Sequence, residues 1–413
     1  MNEAPRRILL ADADAFYVAV ARLVDPEGAG RSPLLIVGGG ADRRGVVTSA
    51  SYEARAYGVH SAMPMARAVR LCPGAMVVPV PWEACVQQGE QIRDVLLQFT
   101  PIVERASSDE FYLDLSGTER LYHGEPLAAT AGRIRRAVLA ATGLVVSIGG
   151  ATSKLVAKLA AGVAKPRPAA PSEGILVVQP GAEAEFLHRF SLADLPLVGP
   201  KFQERLARLG LRTVVDVLAH ERATLIAWLG EREGEWLHNR VRGIDHSPVG
   251  SRDVPQSLSR DETFPRDITD DGALTAELLR LADRATRDLR DGGLIACTVT
   301  VKLRDWDFTT RQASRTLETP VRSDRAVYSV ACELLAKLRS ARRVPARLLG
   351  VSLSRLLPED AKAQLTLFDA ELSASVETAR DRTIARVMDE VREKFGRDAV
   401  ARGRIQPESH GKR

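Results

Sequence analysis

Two short apolar segments, far apart in the chain, both meet acidic residues. Residues 8–11 form one apolar run, which ends at Asp12. Asp109 and Glu110 directly precede a second, strand-like run at residues 111–115. If a sheet brings these carboxylates together at its edge, they would bind hard divalent cations such as Mg²⁺. Two such ions, about 3.5–4 Å apart, would clamp the attacking and leaving oxygens of a phosphoryl transfer. For each acid taken singly, the alternative is a solvated turn.

The first half of the chain divides at a change of pattern. Residues 1–173 alternate short strands with helices, which predicts an α+β domain. Residues 174–242 are mostly helical and contain a tight turn at 195–200, followed by a predicted helix at 201–209. Two helices around such a turn suggest a helix-hairpin-helix, although Pro200 removes one backbone N–H. A plain αα-turn is the alternative.

The second half contains a linker, a further unit and a tail. Residues 243–256 are polar and indicate a linker. Residues 257–356 predict strands at 295–303 and 348–353 and helices at 274–289 and 326–338, which form a second α+β unit. The tail, residues 357–413, predicts a charged amphipathic helix at 375–395.

Charge is unevenly distributed among these parts. Lys and Arg number 58 and Asp and Glu 53, so the formal net charge is only +5. Residues 255–356 hold 18 basic and 14 acidic residues, whereas residues 357–413 hold 11 of each. The concentrated excess favours a module that faces a polyanion, and a solvated surface is the alternative.

Composition excludes several classes of protein. The chain is 45% hydrophobic and 27% charged, which is typical of globular proteins and not of disordered or fibrous ones. Its four cysteines form no CxxC pair and its histidines no HExxH, so a disulfide framework or structural zinc site is not expected. No segment approaches the ~18 apolar residues of a membrane span. We therefore expect a soluble, cytoplasmic protein without a membrane partner.

A second group of residues suits phosphate binding. Tyr52 and Arg55 are three residues apart and share one helix face. Arg55 can bind two phosphate oxygens and Tyr52 can donate one hydrogen bond. Lys165 lies between a helix and a proline. Taken singly, each of these three residues could instead be an ordinary surface residue. An aromatic pair, Phe16-Tyr17, follows Asp12 closely and could simply fill the core.

Five motifs in order resemble those of the Y-family DNA polymerases, the translesion enzymes. The motifs are residues 12–17 (DADAFY), 43–64 (from RRGVVTSASYEAR to SAMP), 108–114 (SDEFYLD), 157–166 (AKLA to AKP) and 258–264 (LSRDETF). Their order and spacing agree over residues 6–356. Within the family, the chain is similar to the DinB-type branch.

The resemblance implies an α+β multidomain fold, the right-hand polymerase with palm, fingers, thumb and little finger. The implied parts are the palm (1–15 and 81–173), fingers (16–80), helix-hairpin-helix thumb (174–242), linker (243–256), little finger (257–356) and a tail (357–413) that carries a clamp-binding peptide.

The resemblance also implies the roles of the site residues. Asp12, Asp109 and Glu110 would be the catalytic carboxylates and would carry two Mg²⁺ ions, with the Ala13 carbonyl as a further ligand and Mn²⁺ as the alternative ion. The residues implied to bind the nucleotide are Phe16, Tyr17, Ser49, Tyr52, Arg55 and Lys165. Tyr17 would exclude a ribose 2′-OH by steric clash. Residues near Val46 and Thr48 would form an open roof over the templating base.

The implied function is template-directed DNA synthesis by a monomer. The enzyme would add dNMPs from dNTPs to the primer 3′-OH of primer–template DNA, at low fidelity, past damaged bases and without proofreading. Three departures from the family pattern, Ala13, Ala15 and Ala21, remove no metal carboxylate. An active enzyme is therefore expected.

A short peptide in the tail indicates a protein partner. Residues 364–368 (QLTLF) resemble the bacterial sliding-clamp-binding peptide, with Gln364, Leu365, Leu367 and Phe368 as anchors. Apolar anchors in a polar segment are typical of docking peptides. The alternative is that they pack against the little finger.

Two other functions fit parts of the sequence. Residues 107–111 (SSDEF) superficially resemble the GG(D/E)EF motif of diguanylate cyclases, but Ser107 and Ser108 stand where those enzymes need glycine. A non-enzymatic accessory protein that binds clamp and DNA would require a broken metal site, and all three carboxylates are present.

Overall fold

The computed structural model describes residues 5–166, 173–250, 254–360, 376–396 and 399–400. The chain forms two units, Met1–Ser251 and Arg252–Arg413. The strands described in the first unit are β1 (Ile8–Ala13), β2 (Leu35–Gly38), β3 (Val47–Ala50), β4 (Met76–Val78), β5 (Val103–Arg105), β6 (Glu110–Asp114), β7 (Val146–Ala151) and β8 (Ile175–Val177). Its helices are α1 (Phe16–Val24), α2 (Tyr52–Arg55), α3 (Met65–Leu71), α4 (Trp82–Leu97), α5 (Leu127–Thr142), α6 (Lys154–Ala164), α7 (Glu183–Leu187), α8 (Pro200–Arg208), α9 (Val214–Leu218), α10 (Arg222–Leu229) and α11 (Glu231–Arg240).

A five-stranded sheet in the order β5-β6-β1-β7-β8 forms the centre of the first unit. All six residues of β1 are buried, because both faces of the sheet are covered. Leu9 packs with the layer that contains α4 and α5, whereas Ile8 and Leu10 pack with α6. A strand buried on both faces needs a continuous apolar run rather than an alternating one, and residues 8–11 supply it.

A smaller sheet, in the order β3-β2-β4, is formed by the part of the chain between β1 and β5. Ser51 ends β3 and starts α2: its hydroxyl accepts a hydrogen bond from Ala54 N at 3.2 Å and donates one to Pro33 O at 2.7 Å. The helix on which the sequence analysis places Tyr52 and Arg55 is therefore a single α-helical turn that begins at Tyr52. That turn carries Tyr52 and Arg55.

The helical prediction for residues 174–242 is confirmed apart from the short strand β8 at its start. Before the tight turn, the chain forms the short helix α7 and then a 3₁₀ turn at Leu192–Asp194. Helix α8 then begins with Gly199 as its N-cap and Pro200 at its first position. A proline is well tolerated there, because that N–H has no partner within a helix.

The second unit is one antiparallel sheet covered on one face by helices. Its elements are β9 (Ser257–Ile268), α12 (Asp271–Asp291), β10 (Leu294–Asp305), β11 (Thr310–Val321), α13 (Asp324–Ala341), β12 (Ala346–Pro358) and α14 (Ala379–Phe395). The strand order is β11-β10-β12-β9, and α12 and α13 pack on the sheet through one apolar core. Strands β9 and β11 were not predicted, because most of their residues are polar and few are buried.

Helix α14, the predicted tail helix, is docked on this unit through ion pairs. Arg392 of α14 binds both carboxylate oxygens of Asp283 in α12 at 3.0 and 3.1 Å. Arg290 of α12 binds Asp389 at 2.5 and 2.9 Å. Just before the helix, the buried Glu377 accepts the backbone N–H of Ser323 at 2.5 Å. The sequence left open whether this helix packs or stays loose, and the structure shows that it packs.

The contact between β7 and α6 allows no side chain at Gly149. A Cβ there would lie 2.1 Å from both Ala157 O and Ala161 N in the backbone of α6. Gly149→Ala should therefore push α6 away from the sheet and lower the free energy of unfolding by about 3 kcal/mol. The measurement is urea unfolding followed by circular dichroism.

Gly162→Ala, in α6, is the matched control. Beyond the backbone of α6 itself, no described atom lies within 4 Å of a Cβ at this exposed position, so alanine should raise stability by about 0.5–1 kcal/mol. Equal stabilities for the two variants would contradict the close packing of α6 on β7.

Candidate active site

The three predicted carboxylates lie at one end of the central strand pair. Strands β1 and β6 are antiparallel, and their register places Asp12 opposite Glu110. Ala13 N donates a hydrogen bond to Asp109 O at 3.0 Å. This bond fixes the acidic loop, residues 107–109, beside the end of β1. Burial raises the pKa of the Asp12 carboxyl to about 6 against the opposing effect of Lys165, and the charges of Glu110 and Asp109 raise it further. The structure thus brings the three acids together.

Two lysines from α6 and its C-terminal end neutralise two of these acids. Lys165 Nζ donates to Asp12 Oδ1 at 2.7 Å. Lys158 Nζ donates to both carboxylate oxygens of Glu110, at 2.8 and 2.6 Å. Burial alone would lower the pKa of Lys165, but Asp12, Asp14 and Tyr52 together raise it above its ordinary value.

Serines hold the rest of the acidic cluster. Ser107 Oγ donates to Asp109 Oδ1 at 2.6 Å and accepts from Glu110 N at 3.1 Å. Ser147 on β7 donates to both carboxylate oxygens of Asp14, at 2.9 and 3.0 Å. Burial raises the pKa of Asp14, against the effect of this hydrogen bond.

The chemistry of the donor set fits a hard cation. In the described ranges, no three His, Cys, Asp or Glu side chains already converge as a metal site. The carboxylates of Asp12 and Glu110 instead accept ammonium groups, which act as cationic partners. Carboxylate and carbonyl oxygens are the ligands that Mg²⁺ prefers, so the residues at this edge suit such an ion.

The predicted phosphate-binding residues lie beside the acids. The Tyr52 hydroxyl is buried and has no hydrogen-bond partner among the described atoms. Burial raises the pKa of Tyr52, and so does the charge of Asp14, while Lys165 and Arg55 lower it. Arg55 Nε donates to Ala50 O at 2.9 Å, and its guanidinium carbon lies 5.0 Å from the Tyr52 ring centroid.

Ser49 and Val46 belong to the small sheet and its edge. Ser49 is buried in β3, two residues before the cap of α2. Val46, one of the predicted roof residues, is 50% exposed and forms an isolated bridge with Pro64. Both side chains are small, and Val46 is half-exposed to solvent.

The Phe16-Tyr17 pair follows the acidic strand without an intervening loop. Ala15 adopts a left-handed φ of 46°, which lets β1 turn into α1 within two residues. Phe16 is buried in the core. Tyr17 OH is hydrogen-bonded to Ser108 Oγ at 2.9 Å, and its ring meets Trp82 edge-on with a centroid distance of 6.0 Å.

Several residues of the site were not assigned a role from the sequence. Lys158 lies within a quoted motif, and its spacing from Lys165 on one helix was a usable signal. Ser107 and Ser108 directly precede the acids. Trp82 gave no sequence signal, because its contact with Tyr17 joins residues far apart in the chain.

Two expectations concern other parts of the chain. The clamp-peptide residues Gln364, Leu365, Leu367 and Phe368 lie outside the described residues. Among the described helices, none combines the length and the apolar character that crossing a bilayer requires.

Three family models match successive parts of the chain. The model described as impB/mucB/samB family matches residues 11–162. A DNA polymerase-iota thumb domain model matches residues 193–245. The impB/mucB/samB family C-terminal domain model matches residues 255–367.

Curated relatives match over nearly the whole chain. The DNA polymerase IV of Dehalococcoides mccartyi strain CBDB1 is 36% identical over 406 residues, which is 97% of this chain and 97% of the relative. The DNA polymerase IV of Halorhodospira halophila is 38% identical and covers 87% of this chain and 98% of its own length.

Solved structures agree on the fold. A Y-family DNA polymerase chimera of Dbh and Dpo4 aligns with a TM-score of 0.75 at 24% identity, over 85% of this chain and 99% of the chimera. These matches include the thumb and C-terminal domains, so neither a diguanylate cyclase nor a non-enzymatic accessory protein describes the chain. The chain belongs to the Y-family of DNA polymerases, in its DinB-type branch, and is a DNA-directed DNA polymerase.

Proposed function

We propose that this chain extends a primer 3′-OH by template-directed addition of dNMPs, at low fidelity, past damaged template bases and without proofreading. The observation that carries the proposal is the joint placement of three carboxylates at the β1–β6 edge, with Lys165 bonded to one of them. Tyr52 and Arg55 lie beside this cluster. Nucleotidyl transfer requires carboxylates that bind metal ions and, next to them, positively charged side chains that bind the phosphates.

In this proposal, Asp12, Asp109, Glu110 and the Ala13 carbonyl hold two divalent ions, Mg²⁺ with Mn²⁺ as the alternative. When bound, such ions lower the pKa of the primer 3′-OH and neutralise the leaving pyrophosphate. Ser107 and Lys158 keep the carboxylates of Asp109 and Glu110 in place in the free enzyme.

The triphosphate occupies the space beside Tyr52, Arg55 and Lys165. Arg55 is tied to Ala50 O by Nε, which fixes the direction of its guanidinium. The buried Tyr52 hydroxyl, without a partner in the described structure, is placed to donate to a phosphate oxygen. Ser49 adds a further hydroxyl near β3.

Tyr17 selects the sugar, and Phe16 holds Tyr17 in place. Phe16 is buried in the palm core, which fixes the backbone position of Tyr17, the next residue of α1. The Tyr17 ring would occupy the space that a ribose 2′-OH needs. The half-exposed Val46 above the site suits templates with altered bases.

The second unit and the helical segment after the palm hold the primer–template DNA. The uncovered face of the β9–β12 sheet carries small hydroxyls, with Thr298 bonded to Thr316 and Thr300 to Ser314. Short side chains let a phosphate backbone approach the sheet closely. In the helical segment, Lys201, Arg205 and Arg232 line one open pocket beside the turn that precedes α8.

Replacement of Asp109 by asparagine tests the metal assignment. Because Asp109→Asn keeps the shape but removes a negative ligand, primer extension with Mg²⁺ should fall by more than about 100-fold. The measurement is single-turnover incorporation on a primed template. Asp94→Asn, an exposed acid of α4, is the control and should keep wild-type rates. Undiminished synthesis by Asp109→Asn would remove this residue from the metal site.

The unpartnered Tyr52 hydroxyl gives a prediction with two readouts. Tyr52→Phe should weaken dNTP binding about 10- to 100-fold, because a hydrogen bond to a charged phosphate is lost. The thermal stability of the free protein should not fall, since the hydroxyl contributes no bond there. Tyr57→Phe, at an exposed tyrosine, is the control. Unchanged dNTP affinity would place the triphosphate elsewhere.

We also propose that residues 364–368 bind the bacterial sliding clamp. Replacing Leu367 and Phe368 with alanine should leave synthesis without the clamp intact and abolish its stimulation by the clamp. Thr366→Ala, within the same peptide, should keep the stimulation. Persistent stimulation of the double variant would show that the peptide is not the docking site.

A further inference from the structure

The Tyr17 side chain is held by three contacts, one from its neighbour in α1 and two from distant parts of the chain. Phe16 meets its ring edge-on at a centroid distance of 5.4 Å. Trp82, the first residue of α4, meets it edge-on at 6.0 Å and an interplanar angle of 77°. Ser108, in the acidic loop, is bonded to its hydroxyl at 2.9 Å. The ring is therefore fixed at both its edge and its tip.

Trp82 has little part in the hydrophobic core. Its side chain is 62% exposed, which is unusual for so large an apolar group. The helix that carries it is firmly rooted, because Cys85, Ile92 and Leu96 of α4 are buried in the palm core. Trp82 N also donates to Val80 O at 3.0 Å. A fixed helix thus presents an exposed indole to the Tyr17 ring.

The second contact joins Tyr17 to the catalytic acids. Ser108 lies between Ser107, which binds the Asp109 carboxylate, and Asp109 itself. The hydroxyl of Tyr17 is therefore bonded to the same short loop that carries two of the carboxylates. A shift of that loop would move the acids and the Tyr17 ring together.

We infer that Trp82 and Ser108 are positioning residues for Tyr17 and that they set how strongly the site rejects ribonucleotides. Selection by clash depends steeply on the position of the blocking atoms, and a free tyrosine ring can rotate among staggered conformations. With Trp82 and Ser108 in place, the ring stays where a 2′-OH would lie. The inference rests on the proposed role of Tyr17.

The test compares dCTP with CTP opposite a template guanine, in single-turnover extension by the full chain. Trp82→Ala should lower the ratio of incorporation efficiencies about tenfold, the value of one edge-on aromatic pair. The change should come from faster CTP incorporation, with dCTP incorporation almost unchanged. Trp82→Phe, which keeps an aromatic edge, should restore most of the ratio.

Val86→Ala is the matched control, because Val86 lies one turn further along α4 and is also exposed, at 57%. It should leave the dCTP-to-CTP ratio at the wild-type value. An equal loss of dCTP and CTP incorporation in Trp82→Ala would overturn the inference, since that result indicates general damage to the site. An unchanged ratio would overturn it as well.

A double-mutant cycle tests the hydroxyl contact. Tyr17→Phe and Ser108→Ala remove the same hydrogen bond from opposite sides, so each should lower the ratio and the double variant should lower it no further. Additive losses would show that Ser108 acts independently of Tyr17.

Tyr17→Ala separates this inference from the proposed function. If it fails to admit CTP, the sugar-selection role of Tyr17 is wrong and the positioning role falls with it. If Tyr17→Ala admits CTP but Trp82→Ala and Ser108→Ala do not, Tyr17 selects the sugar without help, and only the positioning role is refuted.

Discussion

The antiparallel register of β1 and β6 is the constraint on which the site depends. It sets Asp12 opposite Glu110 and brings Asp109 O to the N–H of Ala13. Because side chains alternate between the two faces of a strand, a slip of one residue would turn Asp12 away from its partners. The apolar residues of β1 prevent that slip, since both faces of the strand are already committed to packing.

Charge compensation follows from the same arrangement. Placing acids at a partly buried sheet edge raises the pKa of Asp12 to about 6, mainly through burial. Helix α6 supplies the opposing charge, with Lys158 on Glu110 and Lys165 on Asp12. The same helix packs closely against Gly149 of β7. One helix therefore both covers the sheet and carries charges to its acidic edge.

In the second unit, many of the arginines in residues 255–356 have partners within the fold. Arg290 binds Asp389 of α14, Arg311 binds the fully buried Asp305, and Arg339 binds Asp271. These pairs hold helices and a hairpin together. The proposed DNA-facing surface also carries short hydroxyl side chains, which a count of charges does not reveal.

The sequence predicted those parts of the fold that an apolar pattern marks. It located β1, β6, α6 and both long helices of the second unit, because each contains a run or a repeating pattern of apolar residues. It located the acids because they directly follow or precede such runs. It missed β9 and β11, whose residues are mostly polar and seldom buried. It also missed the pairing of Lys158 with Glu110 and of Trp82 with Tyr17, since these contacts depend on how distant elements pack.

The central claim is that the divalent ions bind at the β1–β6 edge. Cleavage of the polypeptide by Fe²⁺ tests it directly, because iron bound in place of Mg²⁺ generates radicals that cut the backbone near the ion. With ascorbate and peroxide, cuts next to Asp12 and Asp109 are predicted, and they should disappear when excess Mg²⁺ is added. Cuts confined to other parts of the chain would contradict the assignment.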